Sequence, residues 1–220
     1  MKAMILAAGR GERLRPLTDT TPKPLIEVRG KPLIQWHIER LRDAGFTRLV
    51  INVSWLADRI QAHLGDGTQF GVRIGFSHEG AKPLETGGGI FKALALLGKE
   101  PFLVVNGDIY TDFPFEDIKH RLKHDALAHL VMVPNPSHHP EGDFHLSPLG
   151  RLRNRGKPRL TYSGIGIYRP EFFHDCPAGK FPLLPWLKNA MQMEALSGEE
   201  YLGAWWDVGT VDSLKRLEKM

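Results

Sequence analysis

Five apolar runs of six to eight residues mark the first 134 positions: AMILAA at 3–8, RLVINV at 48–53, VRIGFS at 72–77, PFLVVNGD at 101–108 and HLVMVP at 129–134. Their richness in Val, Ile and Leu suits strands buried on both faces. Between the first two, KPLIQWHIERLRDAG sets Ile34, Ile38 and Leu41 on one helical stripe, with Pro32 near its start and Gly45 as its C-cap. Further helices are expected over 55–64, 87–97 and 115–124. Strand alternating with helix predicts an α/β chain with a Rossmann-like, doubly wound, mostly parallel mixed sheet, whose ligands sit beyond the carboxyl ends of the strands.

After Pro134 the texture changes. Residues 135–168 are rich in Pro, Gly, His and Arg, and their short alternating runs predict hairpins, a small β-rich insertion lying over the site. A helix over 182–193, a strand near 200–207 and a last helix from about 210 to 219 are expected to follow. With 220 residues, 42% of them apolar, the chain reads as a single domain with a first part of about 1–134 and a second of about 135–220.

Charge and cysteine usage narrow the function classes. The 29 basic and 25 acidic residues are interspersed, and no aromatic-and-basic stripe accompanies them, so small anions explain the net charge of +4 better than nucleic acid does. Cys176 is the sole cysteine, which leaves no partner for an internal disulfide. No apolar stretch approaches the roughly 20 residues of a membrane span, and none has the form of a signal segment, so a cytoplasmic protein is expected.

The segment LAAGRGERLRPLTDTTPKPL, Leu6 to Leu25, follows the first predicted strand. Gly9 and Gly11 offer backbone N–H groups without a Cβ in the way, as close approach to phosphate requires. Two common phosphate loops fail on specific residues: no Gly-Lys-Ser/Thr follows, and a dinucleotide fingerprint needs glycine where Leu14 stands. The loop instead carries Arg10, Arg13 and Arg15, and then Lys23 between two prolines. Cations gathered beside a phosphate site suggest chemistry on the phosphate, although Arg10 and Arg15 read equally well as a solvated surface pair.

This long motif resembles the signature of the sugar-1-phosphate nucleotidyltransferases, or NDP-sugar pyrophosphorylases. Three further segments are similar to that family in order: LETGGGI at 84–90, VVNGDI at 104–109 and WWDVGTVDSL at 205–214. The resemblance implies transfer of a nucleotidyl group from a nucleoside triphosphate to a sugar 1-phosphate, with pyrophosphate released. It divides the domain into a nucleotide-binding part, about 1–134, and a sugar-binding insertion and closing part, about 135–220. It also implies that Arg13, Lys23, Asp108 and Asp207 carry catalysis and that Asp108 and Asp207 hold Mg²⁺. Asp108 ends a buried strand, and Asp207 again follows an apolar aromatic run; two hard carboxylates with few other protein ligands suit that ion. Asp212 is expected in the first turn of the closing helix.

Nucleotide contacts are expected from Ala8, Gly9, Gly11, Glu12, Arg13, Lys23, Glu79, Gly87 and Gly88. Sugar contacts are expected from Asn106, Asp143 and Gly164. Many family members have glycine where this chain has Glu85. Among the compact members the resemblance is greatest to those that uridylylate N-acetylmuramate 1-phosphate in peptidoglycan recycling, which implies UTP as donor. Alternatives are a mannose- or heptose-1-phosphate guanylyltransferase and a non-catalytic nucleotide-sensing homologue. Arg151, Arg153, Arg155, Lys157 and Arg159 form either an acceptor-facing patch or a solvated basic hairpin. His138 and His139 read as loop residues rather than a zinc site. No nucleic-acid or membrane partner is expected, and the chain reads as a monomer or weak homodimer.

Overall fold

A computed structural model describes residues 1–218 of the chain. In chain order the elements are β1 (Ala3–Leu6), α1 (Leu17–Thr20), β2 (Glu27–Val28), β3 (Lys31–Pro32), α2 (Leu33–Asp43), β4 (Arg48–Val53), α3 (Ala57–Leu64), β5 (Arg73–His78), α4 (Glu85–Leu97), β6 (Phe102–Asn106) and β7 (Ile109–Thr111). They continue with β8 (Ala128–Val133), β9 (Phe144–Leu146), β10 (Leu152–Arg153), β11 (Arg159–Tyr168), α5 (Leu184–Gln192), β12 (Leu196–Glu200), β13 (Trp205–Asp207) and α6 (Val211–Glu218). The last expected helical residue, Lys219, lies outside the described residues.

The main sheet runs β5-β4-β1-β6-β11-β8-β12, with β9 and β10 added at the start of β11. Of the seven strands in that row only β11 is reversed: it pairs antiparallel with β6 and β8, while β1 is parallel to β4 and β6. Alternate residues of each strand enter opposite cores, as a period of two requires. Ala3, Ile5, Ile51 and Val105 pack with Ile34 and Ile38 of α2 and Ile60 of α3. Met4, Val50 and Val104 pack with Ile90 of α4 and Leu187 of α5 on the other side. This is the doubly wound arrangement, and it brings the ends of β1, β4, β5 and β6 to one edge.

Two expectations need correction. Residues 115–124 form a single 3-10 turn, Ile118–His120, rather than a helix. Phe115 and Ile118 are fully buried, and a tight turn suffices to seat them, whereas a longer helix would have to offset a costly nucleus with few further apolar anchors. Residues 135–168 are not one insertion either. TYSGIGIY belongs to β11, a ten-residue central strand, while β9 and β10 extend the sheet from its start, so the part outside the strands is confined to the 134–143 loop and the turns at 147–151 and 154–158. Small residues there reflect close packing: a Cβ on Gly166 would lie 2.8 Å from Leu130 Cδ2.

A third cluster holds the closing segment. Val28, Leu33, Tyr110, Val208 and Leu217 are buried together with Trp36 and Trp206 against them, and Tyr110 sits edge-on to Trp36 at 5.6 Å. His37 is 2% exposed, and among the described residues neither ring nitrogen has a partner in hydrogen-bond geometry. Burial lowers its pKa from 6.5 to about 4, against the opposing pull of the Ile109 backbone and Asp108. The folded state therefore keeps His37 neutral where the unfolded chain takes up a proton. Stability should fall as pH drops from about 6.5 toward 4, by up to about 3 kcal/mol from this group. Thermal midpoints across that window should decline less steeply in His37→Phe than in the wild type.

Candidate active site

The loops beyond β1, β4, β5 and β6 surround one cleft. Its walls include Ala7, Ala8 and Gly9 after β1, Asn52 from β4, Glu79 after β5, and Asn106, Gly107 and Asp108 after β6; Lys23, Pro24, Glu85 and Thr86 complete them. Gly107 is dictated by sheet geometry. Its N–H donates to Leu6 O at 2.9 Å, and a Cβ there would overlap that carbonyl.

The chain from Gly9 to Lys23 folds back under internal restraints. Gly11 adopts a left-handed conformation at φ +68°, and its carbonyl accepts the Thr18 hydroxyl at 2.9 Å. Trp55 Nε1 donates to Thr18 O at 2.9 Å. Lys23 is thereby carried into the interior, only 8% exposed, where its Nζ donates to Asp108 Oδ2 at 2.7 Å. Two residues 85 positions apart thus form a charge-assisted pair.

Asp207 arrives by a different route. β13 pairs antiparallel with β7, placing Asp207 opposite Ile109, and Val208 N–H donates to Asp108 O at 2.8 Å. The two aspartates are neighbours across this ribbon. Arg13 Nη2 stands 4.0 Å from Asp207 Oδ2, and His138 Nε2 stands 3.9 Å from the same oxygen. Gly209 leaves room for that approach, since a Cβ there would lie 2.6 Å from Arg13 Nη2. Among the described residues no cluster of three or more His, Cys, Asp and Glu side chains could hold a metal. A carboxylate pair fits a magnesium ion that takes the rest of its shell from phosphate oxygens and water.

A second cavity opens from the first. Asn106, Glu85 and Thr86 line both; Asp143, Phe144, Tyr162, Pro182, Leu183, Leu184 and Leu187 line the second alone. The predicted sugar contacts therefore converge. Gly164, at φ +82°, packs on Asn106, where a Cβ would lie 2.6 Å from its Cγ. Asp143 Oδ2 accepts the Tyr162 N–H at 2.8 Å, and Oδ1 lies 3.1 Å from His139 Nε2.

Other expected residues sit differently. Glu12 is exposed and pairs with Arg10 at 3.5 Å, outside the cleft walls. Arg10 also stacks 4.5 Å over Trp55, and Arg15 pairs with Asp19 at 2.7 Å, so both serve the loop's surface. Glu79 lines the cleft, yet its oxygens accept from Asn52 Nδ2 and Leu84 N–H, each at 2.6 Å, while Asn52 Oδ1 accepts Ala7 N–H at 2.8 Å. It braces three strand ends. Gly87 and Gly88 are buried under the 179–181 loop: Gly88 N–H donates to Phe181 O at 3.1 Å, and a Cβ on Gly87 would meet the Phe181 ring at 2.5 Å. These glycines permit helix-to-loop contact. Arg151 and Arg153 turn to Asp125 and Glu194, and Arg159 donates to Asp143 O, so this arginine set is tied to the protein itself. Asp212 lies in the first turn of α6, with Thr210 and Ser213 capping reciprocally.

Sequence reading alone passed over Asn52 and Lys180, and it set His138 aside as a loop residue although the structure brings it to 3.9 Å from Asp207. Asn52 left a signal, as a polar residue inside the apolar run RLVINV. Glu85 is the conspicuous departure: it sits at φ +62°, a left-handed conformation that costs a residue with a Cβ about 1–2 kcal/mol and suits glycine. Its carboxylate pairs with Lys180 at 3.3 Å.

Comparison with known proteins settles the family. The model of the nucleotidyl transferase family matches residues 2–144. The chain belongs to that family. It is 53% identical over 226 aligned residues to N-acetylmuramate alpha-1-phosphate uridylyltransferase of Neisseria meningitidis, with 100% of this chain and 98% of that protein covered. The Caulobacter vibrioides protein of the same name is 37% identical over 94% of this chain and 91% of its own length. Mannose-1-phosphate guanyltransferase beta-A of Xenopus laevis is 33% identical over 95% of this chain but 61% of its own length. Among solved structures, HddC from Yersinia pseudotuberculosis, complexed with GMP-PN, superposes with a TM-score of 0.80 at 22% identity, covering 99% of this chain and 98% of that one. That likeness shows a shared fold. Among the described residues no helix is long and apolar enough to cross a membrane.

Proposed function

We propose that this nucleotidyltransferase moves a uridylyl group from UTP to N-acetylmuramate 1-phosphate, giving UDP-N-acetylmuramate and pyrophosphate, in the cytoplasm and within peptidoglycan recycling. The observation that carries this reading is the 53% identity, end to end, with the Neisseria meningitidis uridylyltransferase. The acceptor cavity supports it: Phe144, Leu183, Leu184 and Leu187 give an apolar wall that suits the acetyl and lactyl methyls absent from a plain hexose phosphate.

An oxygen of the acceptor phosphate attacks the α-phosphorus as the bond to the β-phosphate bridging oxygen breaks, and pyrophosphate leaves with that electron pair. The attacking oxygen is already anionic at neutral pH, so no general base is required; positioning and charge do the work. Lys23, pre-aimed by Asp108, faces the α-phosphate and the incoming phosphate. Arg13 faces the leaving pyrophosphate. Asp108 and Asp207 would hold Mg²⁺, which when bound neutralises charge on the phosphates. Gly9 and Ala8 offer backbone contacts to the nucleotide, and Asn106 and Asp143 contact the sugar. The intact set of Arg13, Lys23 and the two aspartates disfavours a sensor that binds without turnover. We take the working form as a monomer or weak homodimer.

Pyrophosphate release with each of the four nucleoside triphosphates, at fixed N-acetylmuramate 1-phosphate and Mg²⁺, tests the donor. UTP should exceed GTP in kcat/KM by about 10²; preference for GTP would move the chain to the guanylyltransferases.

A further inference from the structure

Glu85 occupies the junction where the nucleotide cleft opens into the acceptor cavity, and it lines both. Its backbone stands at φ +62°, a conformation for which glycine is the natural occupant. Glu85 is half exposed, and among the described residues its ionic partner, Lys180, stands at 3.3 Å with most of its own side chain in solvent. Backbone strain retained at the mouth of a ligand cavity, with no compensating burial, points to use of the side chain.

We infer that Glu85 is the residue through which this chain selects its acceptor, its carboxylate accepting hydrogen bonds from the hydroxyl and amide N–H groups of the sugar. Three features of the site favour that role. The cavity offers few acceptors: beyond the apolar wall, Asp143 already receives the Tyr162 N–H and faces His139, which leaves Glu85, Thr86 and Asn106 as the polar groups at the shared opening, and of these Glu85 alone carries a charge. Lys180, 3.3 Å away, sets a cation beside the carboxylate, which favours its ionised, accepting form. The 179–181 loop that carries Lys180 is bonded to the start of α4 through Gly88 N–H to Phe181 O and Phe181 N–H to Leu84 O, and it leads directly into the acceptor wall at Pro182 and Leu183. A carboxylate set in this way discriminates against acceptors that cannot donate to it.

The inference rests on the proposed acceptor only for the identity of the sugar, so the test is read on whichever sugar 1-phosphate the wild-type protein uses best. Steady-state kinetics with acceptor and UTP varied in turn should be run on Glu85→Gly and Glu85→Gln, with thermal midpoints alongside. In Glu85→Gly the acceptor KM should rise about tenfold or more, the loss expected for a hydrogen bond to a charged group. The UTP KM should stay within about twofold, and the midpoint should hold or rise as the strain is lifted. Glu85→Gln, which keeps the shape and one carbonyl acceptor, should fall between. An unchanged acceptor KM in Glu85→Gly overturns the inference, whatever the midpoint does. So does an equal rise in both KM values, which would give Glu85 to the nucleotide. Failure of N-acetylmuramate 1-phosphate as the best wild-type acceptor would count against the proposed function alone.

Discussion

Asp108→Asn should lower kcat by about 10³-fold while leaving the protein folded. The substitution keeps the size of the side chain and removes its charge, and two things then fail together. Lys23, 8% exposed, loses the anion that aims it at 2.7 Å, and the ribbon that sets Asp207 beside Asp108 retains only one of its two carboxylates. One carboxylate is too few for a divalent cation that depends on the pair. The cost to folding should be small, because the Asp108 side chain is 39% exposed and asparagine keeps a carbonyl oxygen that can still accept from Lys23 Nζ. Pyrophosphate release and a thermal melt on the same sample check both halves. Wild-type turnover in Asp108→Asn would remove the aspartate pair from the mechanism.

Gly88→Ala should destabilise the protein, although alanine is the better helix former. In the interior of α4 the exchange gains about 1 kcal/mol of helix propensity. Against that, the added Cβ overlaps the carbonyl of Gly179, a backbone atom that cannot rotate away, in a spot where Gly88 N–H already bonds Phe181 O. Overpacking of this kind costs about 1–3 kcal/mol or more once a hydrogen bond is also displaced. The sum should be a net loss of about 2 kcal/mol, seen as a midpoint lower by about 4–8 °C for a chain of this size. Because Pro182, Leu183 and Leu184 follow the displaced loop and line the acceptor cavity, the acceptor KM should rise as well. A higher midpoint would show that the 179–181 loop yields freely.

The two predictions differ in how far the sequence foretold them. Parallel strands buried on both faces show themselves as apolar runs, so β1, β4, β5, β6 and β8 stand within a few residues of the expected spans. β11 was harder to read. Gly164 and Gly166 sit in it for close packing, against Asn106 and Leu130, and small residues in a row look like turns until the neighbours are known. The 115–124 segment shows the converse: apolar spacing fitted a helix, while burial of Phe115 and Ile118 needed only one turn.

The site divides in the same way. The Asp108 and Asp207 positions were legible as motifs, but their adjacency depends on β7 and β13 pairing, and no local pattern encodes that register. Glu79, expected as a nucleotide contact, lines the cleft, and its engagement by Asn52 and Leu84 N–H arises from three strand ends meeting. Gly87 and Gly88 read as room for a ligand, whereas the room is filled by Phe181 and Gly179. Glycine in a sequence reports that something approaches closely and does not say what.

The most direct measurement is a competition in one vessel: the purified protein with Mg²⁺, UTP and GTP at equal concentration, and N-acetylmuramate 1-phosphate and mannose 1-phosphate at equal concentration, with the products identified by mass. The account predicts UDP-N-acetylmuramate as the dominant sugar nucleotide. Dominant GDP-mannose, or no sugar nucleotide at all, would contradict it.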